Sequence, residues 1–331
     1  MNRVGGLAIS VLAATGLHAT PRDAGASSLP PPGDDIECPT ATIEVGTADE
    51  LQTALDDAVP GDVIHMADGT YVGTFVAAVT AEPDAPIFLC GSDAAVIDGD
   101  GIRGGYGFHL DGVSYWRVIG FTVRNAQKGL IVDRGQFNVI QRLTVTNVGD
   151  EAIHLRGFSS DNVVQSNSIR DTGLRRDKFG EGIYVGTAES NWCEHSDCEP
   201  DQSDRNVIEF NTISHTGAES IDLKEGTTGG VVRFNNLDGD GMTGGDSWVD
   251  AKGNDWLIAD NHGVNSPMDG FQMHEIVEGW GTGNVFTGNT ADVNGPGLGF
   301  AATNTDGNVI RCDNDVTNAD GGFSDQDCVE D

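Results

Sequence analysis

Apolar and polar residues alternate in short runs that recur along most of this chain. Three of these runs, NVIQRLTVTN, NVVQSNSIRD and NVIEFNTISH, start at Asn138, Asn162 and Asn206. The leading apolar position recurs at Val139, Val163, Val207, Val231, Leu257, Val285 and Val309. Most steps are about 24 to 28 residues, and the step from Val163 to Val207 is doubled by an insertion. The alternation predicts β-strands, and the regular step predicts a stack of similar turns.

A second short strand follows in each repeat, in the segments EAIHLR, EGIYVG, ESIDLK, SWVDAK and DGFQMH. Such short repeats cannot bury an apolar face alone, so neighbouring repeats must stack. Asparagines recur in one column, at Asn167, Asn211, Asn235, Asn261 and Asn289, as in an asparagine ladder inside a turn. A leucine-rich repeat is the competing architecture, but its leucines and helical arcs are missing. The sequence therefore predicts an all-β chain, folded as a single-stranded right-handed parallel β-helix.

The segment before the repeats predicts a helix at the N-terminal end of the solenoid. Thr47 can cap a helix that carries Leu51, Leu55 and Val59 on its inner face. An amphipathic helix in this place covers the open end of the stack and prevents edge-to-edge aggregation.

The start of the chain has the pattern of a secretory signal peptide at 1–19. Arg3 precedes an apolar run that ends Leu17-His18-Ala19. We expect cleavage after Ala19, a disordered Pro/Gly/Ser-rich leader at 20–37 and a β-helix domain at 38–331. No cysteine directly follows the apolar run, and no later segment is long and apolar enough for a membrane span. These features predict a secreted, extracellular protein.

Export favours disulfides, and the six cysteines fall into three neighbourhoods. The expected pairs are Cys38 with Cys90, Cys193 with Cys198, and Cys312 with Cys328. Metal ligation by cysteine is the weaker interpretation, because the CxxC spacings of zinc sites are absent.

Acidic residues dominate the composition, with 52 Asp and Glu against 18 Lys and Arg and a formal net charge of −34. This charge argues against nucleic acid and anionic membranes as partners, since both attract basic surfaces. It favours solubility and cation binding. An anionic substrate would need local positive charge or a metal ion to approach such a surface.

Aligned by a period of two, the second strands form columns that sort these charges. One outward column contains His154, Tyr184, Asp222, Asp250 and Gln272. The other contains Arg156, Gly186, Lys224, Lys252 and His274. A third column contains Glu151, Glu181, Glu219, Ser247 and Asp269. It lies at the turn before each strand, and we place it at the rim of the sheet.

Lys224 and Lys252 are two of only four lysines in the chain, and the alignment puts them on successive rungs, about 4.8 Å apart. Like charges at this spacing repel, which predicts a lysine pKa lowered toward that of a general base. The alternative is that each lysine pairs with a carboxylate, Glu219 or Asp222 for one and Asp250 for the other. The side chain of Lys224 is expected to point to solvent.

The order Glu-x-Ile-x-Leu-Lys224, followed one rung later by apolar-x-Ala-Lys252-Gly253-Asn254, resembles the calcium-dependent β-helix lyases of polysaccharide lyase family 6. These are alginate lyases and chondroitinase B-type lyases with the pectin lyase-like solenoid. The likeness in architecture covers roughly residues 45–289, whereas the motif covers only residues 219–254.

This resemblance implies roles for the matching residues. Lys224 matches the catalytic base, and Lys252 stands where the family has an acid or clamp, normally Arg. Glu219 matches a calcium ligand. The family's second calcium Glu is Gly217 here, and Glu181 on the previous rung is the expected replacement. Calcium is therefore the expected cofactor.

With these roles, the chain is expected to cleave an anionic, uronate-containing polysaccharide by β-elimination, as a monomer. Lys224 would abstract the C5 proton, Lys252 or Tyr184 would donate to the departing oxygen, and calcium would neutralise the adjacent carboxylate. The predicted substrate-binding residues are Arg156, His154, Tyr184, Asp222, Asp250, His274 and Arg176. Arg156 and His274 would hold neighbouring sugar carboxylates.

Three other functions fit parts of the pattern. A glycoside hydrolase could use Asp222 and Asp250, near the separation of about 5 to 5.5 Å found in retaining enzymes, although flanking lysines would keep both ionised. A C5-epimerase of uronate polymers shares the proton abstraction but returns the proton to the other face. A non-catalytic carbohydrate-binding β-helix would need no stacked lysines.

Overall fold

The computed structural model describes residues 1, 33–302, 305 and 307–330. The chain divides into two units, residues 1–34 and residues 35–331, and all the described helices and strands belong to the second unit. Apart from Met1, the predicted signal peptide and residues 20–32 of the predicted leader lie outside the described residues. None of the helices in the described ranges is long and apolar enough to cross a bilayer.

Within the described residues, the second unit contains three parallel sheets, as predicted for a right-handed parallel β-helix. The first sheet has eleven strands: Ile43–Val45, Val63–Met66, Ile87–Cys90, Trp116–Ile119, Val139–Gln141, Val163–Gln165, Val207–Glu209, Val231–Arg233, Leu257–Ala259, Val285–Thr287 and Val309–Ile310. The second has ten: Gly69–Val72, Ala95–Asp98, Thr122–Arg124, Thr144–Thr146, Ser168–Arg170, Thr212–Ser214, Asn236–Asp238, His262–Val264, Thr290–Gly295 and Asp315–Ala319. The third also has ten: Phe75–Ala77, Tyr106–Asp111, Lys128–Asp133, Ile153–Arg156, Ile183–Val185, Ile221–Leu223, Val249–Ala251, Phe271–Met273, Leu298–Ala301 and Gly322–Ser324.

The register of the first sheet confirms the repeat alignment made from the sequence. Val139 pairs with Val163, and Val163 pairs with Val207 across the doubled step. The column then continues through Val231, Leu257, Val285 and Val309. The insertion, residues 188–204, therefore leaves the ladder between neighbouring turns unbroken.

Buried asparagines stabilise the turns between the first and second sheets. The predicted column forms a ladder, Asn167, Asn211, Asn235, Asn261 and Asn289, that continues to Asn314. Each side-chain amide donates to the side-chain oxygen of the next asparagine at 2.9–3.0 Å and to a backbone carbonyl. These bonds satisfy backbone groups that would otherwise be buried without partners. A second ladder, Asn138, Asn162 and Asn206, was not predicted from the sequence.

Apolar side chains fill the space between the sheets. The inward residues of the third sheet are fully buried, as the period of two predicted: Ile153, Leu155, Ile183, Val185, Ile221, Leu223, Val249, Ala251, Phe271 and Met273. Because inward positions are apolar, the polar side chains of the same strands must face outward.

The predicted N-terminal helix spans Ala48–Asp56 and contacts strands of the first turn. The side chain of Thr47 accepts a hydrogen bond from the Glu50 amide, and Leu51 and Leu55 are buried. Val59 was expected on the same inner face, but it is 56% exposed because the helix has already ended.

The three predicted disulfides are confirmed, joining Cys38 to Cys90, Cys193 to Cys198 and Cys312 to Cys328. The second of these lies in the insertion, which also contains the short helices Glu189–Asn191 and Trp192–His195. A further short helix, Asp177–Phe179, lies in the turn before the strand Ile183–Val185.

Candidate active site

The outer face of the third sheet brings the predicted polar columns into register. The first column pairs, in order, His154, Tyr184, Asp222, Asp250 and Gln272. The second continues one residue beyond each strand, where the amides of Gly186, Lys224, Lys252 and His274 donate to carbonyls of the preceding rung. Both columns therefore have the spacing expected from the sequence.

These outward side chains are mostly covered, which corrects the expectation that Lys224 points to solvent. Its side chain is 14% exposed, and that of Lys252 is 10% exposed. Two glutamates that we placed at the rim, Glu151 and Glu181, are buried too, each 6% exposed, whereas Glu219 is half-buried. The turns before the strands and the insertion lie over this face. Their conformations follow no period that the sequence displays.

Five side chains on this face form a continuous chain of ion pairs across three rungs. One carboxylate oxygen of Asp222 lies 2.7 Å from Nζ of Lys224, and the other lies 2.8 Å from Nζ of Lys252. Nζ of Lys252 also lies 2.7 Å from Oδ2 of Asp250. Oδ1 of Asp250 lies 2.8 Å from Nδ1 of His274. Among the two lysines and two aspartates, positive and negative charges therefore alternate, and each lysine pairs with at least one carboxylate.

This alternation overturns the prediction that repulsion lowers a lysine pKa. Burial would lower the pKa of Lys224, but attraction to Asp222 and the hydrogen bond to it outweigh burial, so the pKa is raised. The pKa of Lys252 is also raised, because Asp222 and Asp250 together outweigh its burial. Both lysines are ammonium ions in the resting protein.

Asp250 is held in its ionised form. Burial would raise the pKa of Asp250, but Lys252 and His274 outweigh it, and the pKa is lowered. The hydrogen bond to Asp250 in turn raises the pKa of His274. A glycoside hydrolase needs one carboxyl with a raised pKa as its acid, and Asp250 has the opposite shift.

Three carboxylates cluster beside the two lysines. Oxygens of Glu181, Glu219 and Asp222 lie within 4.8 Å of one another. Burial, together with the charge of Asp222, raises the pKa of Glu219 to about 7. Burial also raises the pKa of Glu181 well above its usual value, with repulsion from Glu151 and Asp222 adding to it.

The cluster fits an oxygen-liganded cation. Oε2 of Glu181 is buried and has no hydrogen-bond partner among the residues that the structure describes. A buried polar oxygen without a partner is costly, and carboxylate oxygens are the ligands that calcium prefers. A cation between Glu181, Glu219 and Asp222 would satisfy this oxygen and offset the burial and repulsion that raise the two glutamate pKa values.

Tyr184 lies next to Lys224 on the same face. Its ring centroid is 5.1 Å from Nζ of Lys224, and the ring packs edge-on against His154 with centroids 4.4 Å apart. Burial, then the charges of Asp222 and Glu181, raise the pKa of Tyr184 well above its usual value. The hydroxyl therefore keeps its proton and can act as a donor.

A pocket of about 480 Å³ opens beside Tyr184. Its floor includes Lys128, Glu151, His154, Arg156 and Glu181. Its walls are the turn with Arg175, Arg176 and Phe179 and the insertion with Asn191, Glu194 and His195. The pocket thus gathers four predicted substrate-binding residues, His154, Arg156, Tyr184 and Arg176. The other three, Asp222, Asp250 and His274, lie in the neighbouring chain of ion pairs.

Among the charged residues of this face that were not predicted from the sequence, two belong to the strand Lys128–Asp133. Asp133 is in register with Arg156 and accepts hydrogen bonds from its guanidinium at 2.7 and 3.2 Å. Nζ of Lys128 lies 2.8 Å from Glu151. Extending the period of two by one more turn toward the N-terminus would have identified Asp133 as a member of the second column.

Comparison with known proteins defines the class: the protein is a polysaccharide lyase. It is similar to an alginate lyase from Paenibacillus sp. str. FPU-7, with a TM-score of 0.78 and 34% identity over 85% of this chain and 97% of that one. Since the likeness includes nearly all of that enzyme, the chain belongs to its family. No protein-family model matches the sequence.

Other relatives are more distant. Pectate lyase PEL9 of Emericella nidulans is 26% identical over 131 residues, which are 34% of this chain and 32% of that protein. The match therefore spans about a third of this curated relative. The crystal structure of pectate lyase Pel9A has the same fold, with a TM-score of 0.53 and 16% identity over 83% of this chain and 74% of that chain. A lyase of family 6 from Pseudopedobacter saltans is also among the similar structures, at 14% identity and a TM-score of 0.44.

Proposed function

We propose that the protein cleaves a uronate-containing anionic polysaccharide by β-elimination, with alginate as the first candidate. The contact between Lys224 and Tyr184, beside the cluster of Glu181, Glu219 and Asp222, carries the proposal. A base, a proton donor and carboxylates able to hold a cation are the parts that this elimination needs. The similar Paenibacillus enzyme is an alginate lyase, which supports alginate as a substrate.

In the proposed reaction, the neutral amine of Lys224 takes the C5 proton of the uronate. The electrons of that C–H bond form the double bond between C4 and C5, and the bond from C4 to the leaving oxygen breaks. Tyr184 donates its hydroxyl proton to this oxygen. The ammonium of Lys224 then returns a proton to the phenolate, which restores both residues. Lys252 takes the role that we call the clamp: its ammonium lies between Asp222 and Asp250 and fixes both carboxylates.

Calcium is the proposed cofactor, with Glu181, Glu219 and Asp222 as the residues that would hold it. When bound, the ion would supply positive charge that neutralises the uronate carboxylate and offsets the negative field that raises the pKa of Lys224. Asp222 also orients both lysines through its two oxygens. Along the same face, Arg156, Arg176, His154 and His274 are the proposed contacts to sugar carboxylates and hydroxyls.

Secretion is part of the proposal. The signal-peptide pattern at 1–19 supports export. The three disulfides support it as well, because disulfides persist mainly in oxidising compartments. We propose that the secreted chain acts as a monomer on polysaccharide outside the cell.

A substrate screen tests the reaction. The purified protein is incubated with alginate, pectate, glucuronan and glycosaminoglycans, and the ultraviolet absorbance of unsaturated uronates is followed. We expect absorbance to rise with at least one of them, and with alginate first. Reducing ends without this absorbance would replace the lyase with a hydrolase. An altered C5 configuration without chain cleavage would replace it with an epimerase.

A further inference from the structure

The pocket beside Tyr184 extends away from Lys224, which is not among its lining residues. Its floor takes residues from three successive rungs, those of Lys128, Glu151 and Glu181, which corresponds to about 10 Å along the solenoid axis. Walls stand on both sides of this floor. The pocket has room for a sugar residue in addition to the one that reaches Lys224.

Only one strong cation of the pocket is available to a ligand. The other three are paired with carboxylates: Lys128 with Glu151, Arg156 with Asp133, and Arg175 with Asp150. Arg176 is exposed, lies 5.6 Å from the ring of Phe179, and forms no ion pair with any described residue. A guanidinium in this state is suited to bind a carboxylate through two parallel hydrogen bonds.

The floor contains two buried acceptors that lack donors. Nε2 of His154 lies 2.8 Å from the carbonyl oxygen of Gly186, so Nε2 carries the proton and Nδ1 is an acceptor. Within the described part of the chain, Nδ1 of His154 and Oε2 of Glu151 are buried without a hydrogen-bond partner. His154 itself is 3% exposed. Both atoms are covered by their neighbours, so recognition of an acidic sugar in this pocket depends on Arg176.

The wall formed by the insertion is anchored to the sheet. Asp201 is fully buried and accepts four hydrogen bonds, from the amides of Gly157 and Phe158 and from the hydroxyls of Thr187 and Ser203, at 2.7–2.8 Å. The disulfide between Cys193 and Cys198 closes the part of the insertion that borders the pocket. The pocket is therefore preformed, which lowers the entropic cost of binding.

We infer that this pocket is a subsite for a second acidic sugar, next to the one cleaved at Lys224 and Tyr184. Arg176 binds the carboxylate of this sugar above the part of the floor that His154 and Glu151 form. The inference rests on the proposed function and narrows its substrate class. Polymers with uronates in adjacent positions fill both subsites with acidic sugars, whereas polymers that alternate uronate with a neutral or amino sugar do not.

Matched variants test the role of Arg176. Arg176→Gln and Lys178→Gln remove the same charge from the same turn, and both side chains lie over Phe179, but only Arg176 borders the pocket. With a polyuronate, we expect Arg176→Gln to raise KM about tenfold and to leave kcat within about twofold. Lys178→Gln should leave both constants within about twofold. Equal effects of the two variants, or a loss confined to kcat, would overturn the assignment.

Direct binding measurements test the subsite independently of the proposed reaction. A mannuronate trimer and mannotriose, which lacks the carboxylates, are titrated by calorimetry into wild-type protein and both variants. The trimer should bind wild type and Lys178→Gln alike, at least about tenfold tighter than Arg176→Gln, and mannotriose should bind weakly to all three. Equal affinity for the two sugars would refute the subsite. If the trimer binds as expected but no polyuronate is cleaved, the subsite is supported and the proposed reaction is refuted.

Discussion

The position of Lys224 could be predicted from the sequence pattern, but its side-chain contacts could not. The period of two placed Lys224, Lys252, Asp222 and Asp250 correctly in their columns, because β-strand geometry alone decides such positions. It did not reveal that Asp222 contacts both lysines. This sharing depends on side-chain conformations that cross from one rung to the next. The direction of the lysine pKa shifts follows from it and could not be predicted from the columns.

The two lysines should respond differently to removal. In Lys224→Met, Asp222 keeps its contact with Lys252, so stability should change little, whereas kcat should fall about 10²- to 10⁴-fold with loss of the base. In Lys252→Met, two buried carboxylates lose their shared partner, which should cost about 3–5 kcal/mol of stability. Urea unfolding and steady-state kinetics on both variants measure these effects.

Lys224→Arg serves as the control, because it keeps the charge but stays protonated at working pH. It should be as inactive as Lys224→Met. Substantial turnover by either variant would exclude Lys224 as the base.

The raised pKa of Lys224 predicts the pH dependence of the reaction. A base must be neutral to accept a proton, and attraction to Asp222 keeps Lys224 protonated at neutral pH despite its burial. The neutral fraction grows with pH below the pKa, so kcat/KM should rise steadily from neutral into alkaline solution. Tyr184 should not oppose this rise, because burial raises its pKa as well. A profile that is flat or falls over this range would indicate that Lys224 acts as a fixed cation instead.

At the scale of elements, the fold depends on ladders that repeat from turn to turn. Asn235 shows the unit: it donates to Ile208 and Asn261, and its side-chain oxygen accepts from the amide of Asn211. The sequence predicted this ladder because its members recur at the repeat step. The short helices of the insertion were not predicted, since they belong to one turn only and have no counterpart in the others.

Removing one asparagine of the ladder should lower the free energy of unfolding. Asn235→Ala leaves several buried backbone and side-chain groups without partners, and each such group costs about 1–3 kcal/mol. The neighbouring Asn236 is exposed, so Asn236→Ala should stay within about 0.5 kcal/mol of wild type. Urea denaturation of the two variants compares them directly. Similar midpoints would mean that water replaces the ladder bonds at no cost.

Over the whole molecule, a net charge of −34 has to be reconciled with the anionic substrate that we propose. Three of the four lysines, Lys128, Lys224 and Lys252, lie on the outer face of the third sheet. All three are paired with carboxylates in the resting protein. Positive charge is therefore concentrated where the polymer is proposed to bind, but most of it is already neutralised. A cation in the cluster of Glu181, Glu219 and Asp222 would supply the remainder.

Chelation should therefore abolish activity, and added calcium should restore it. Calcium should also raise the melting temperature, because binding to the folded state alone stabilises it. Glu219→Gln should raise the calcium concentration needed for both effects. The melting temperature provides a readout that does not depend on turnover. Full activity after exhaustive chelation, with no thermal shift on adding calcium, would remove the metal from the proposal.

The insertion, residues 188–204, has an evolutionary consequence. Val163 and Val207 pair in the same register as Val207 and Val231, which are separated by an ordinary repeat. Pairing between these strands therefore does not depend on the length of chain that connects them. A lineage could lengthen, shorten or exchange this segment and inherit the strands with Tyr184 and Lys224 unchanged. The wall that the insertion adds to the pocket and the chemistry that breaks the polymer would then be encoded in separable stretches of one gene. Selection could act on the first without passing through loss of the second.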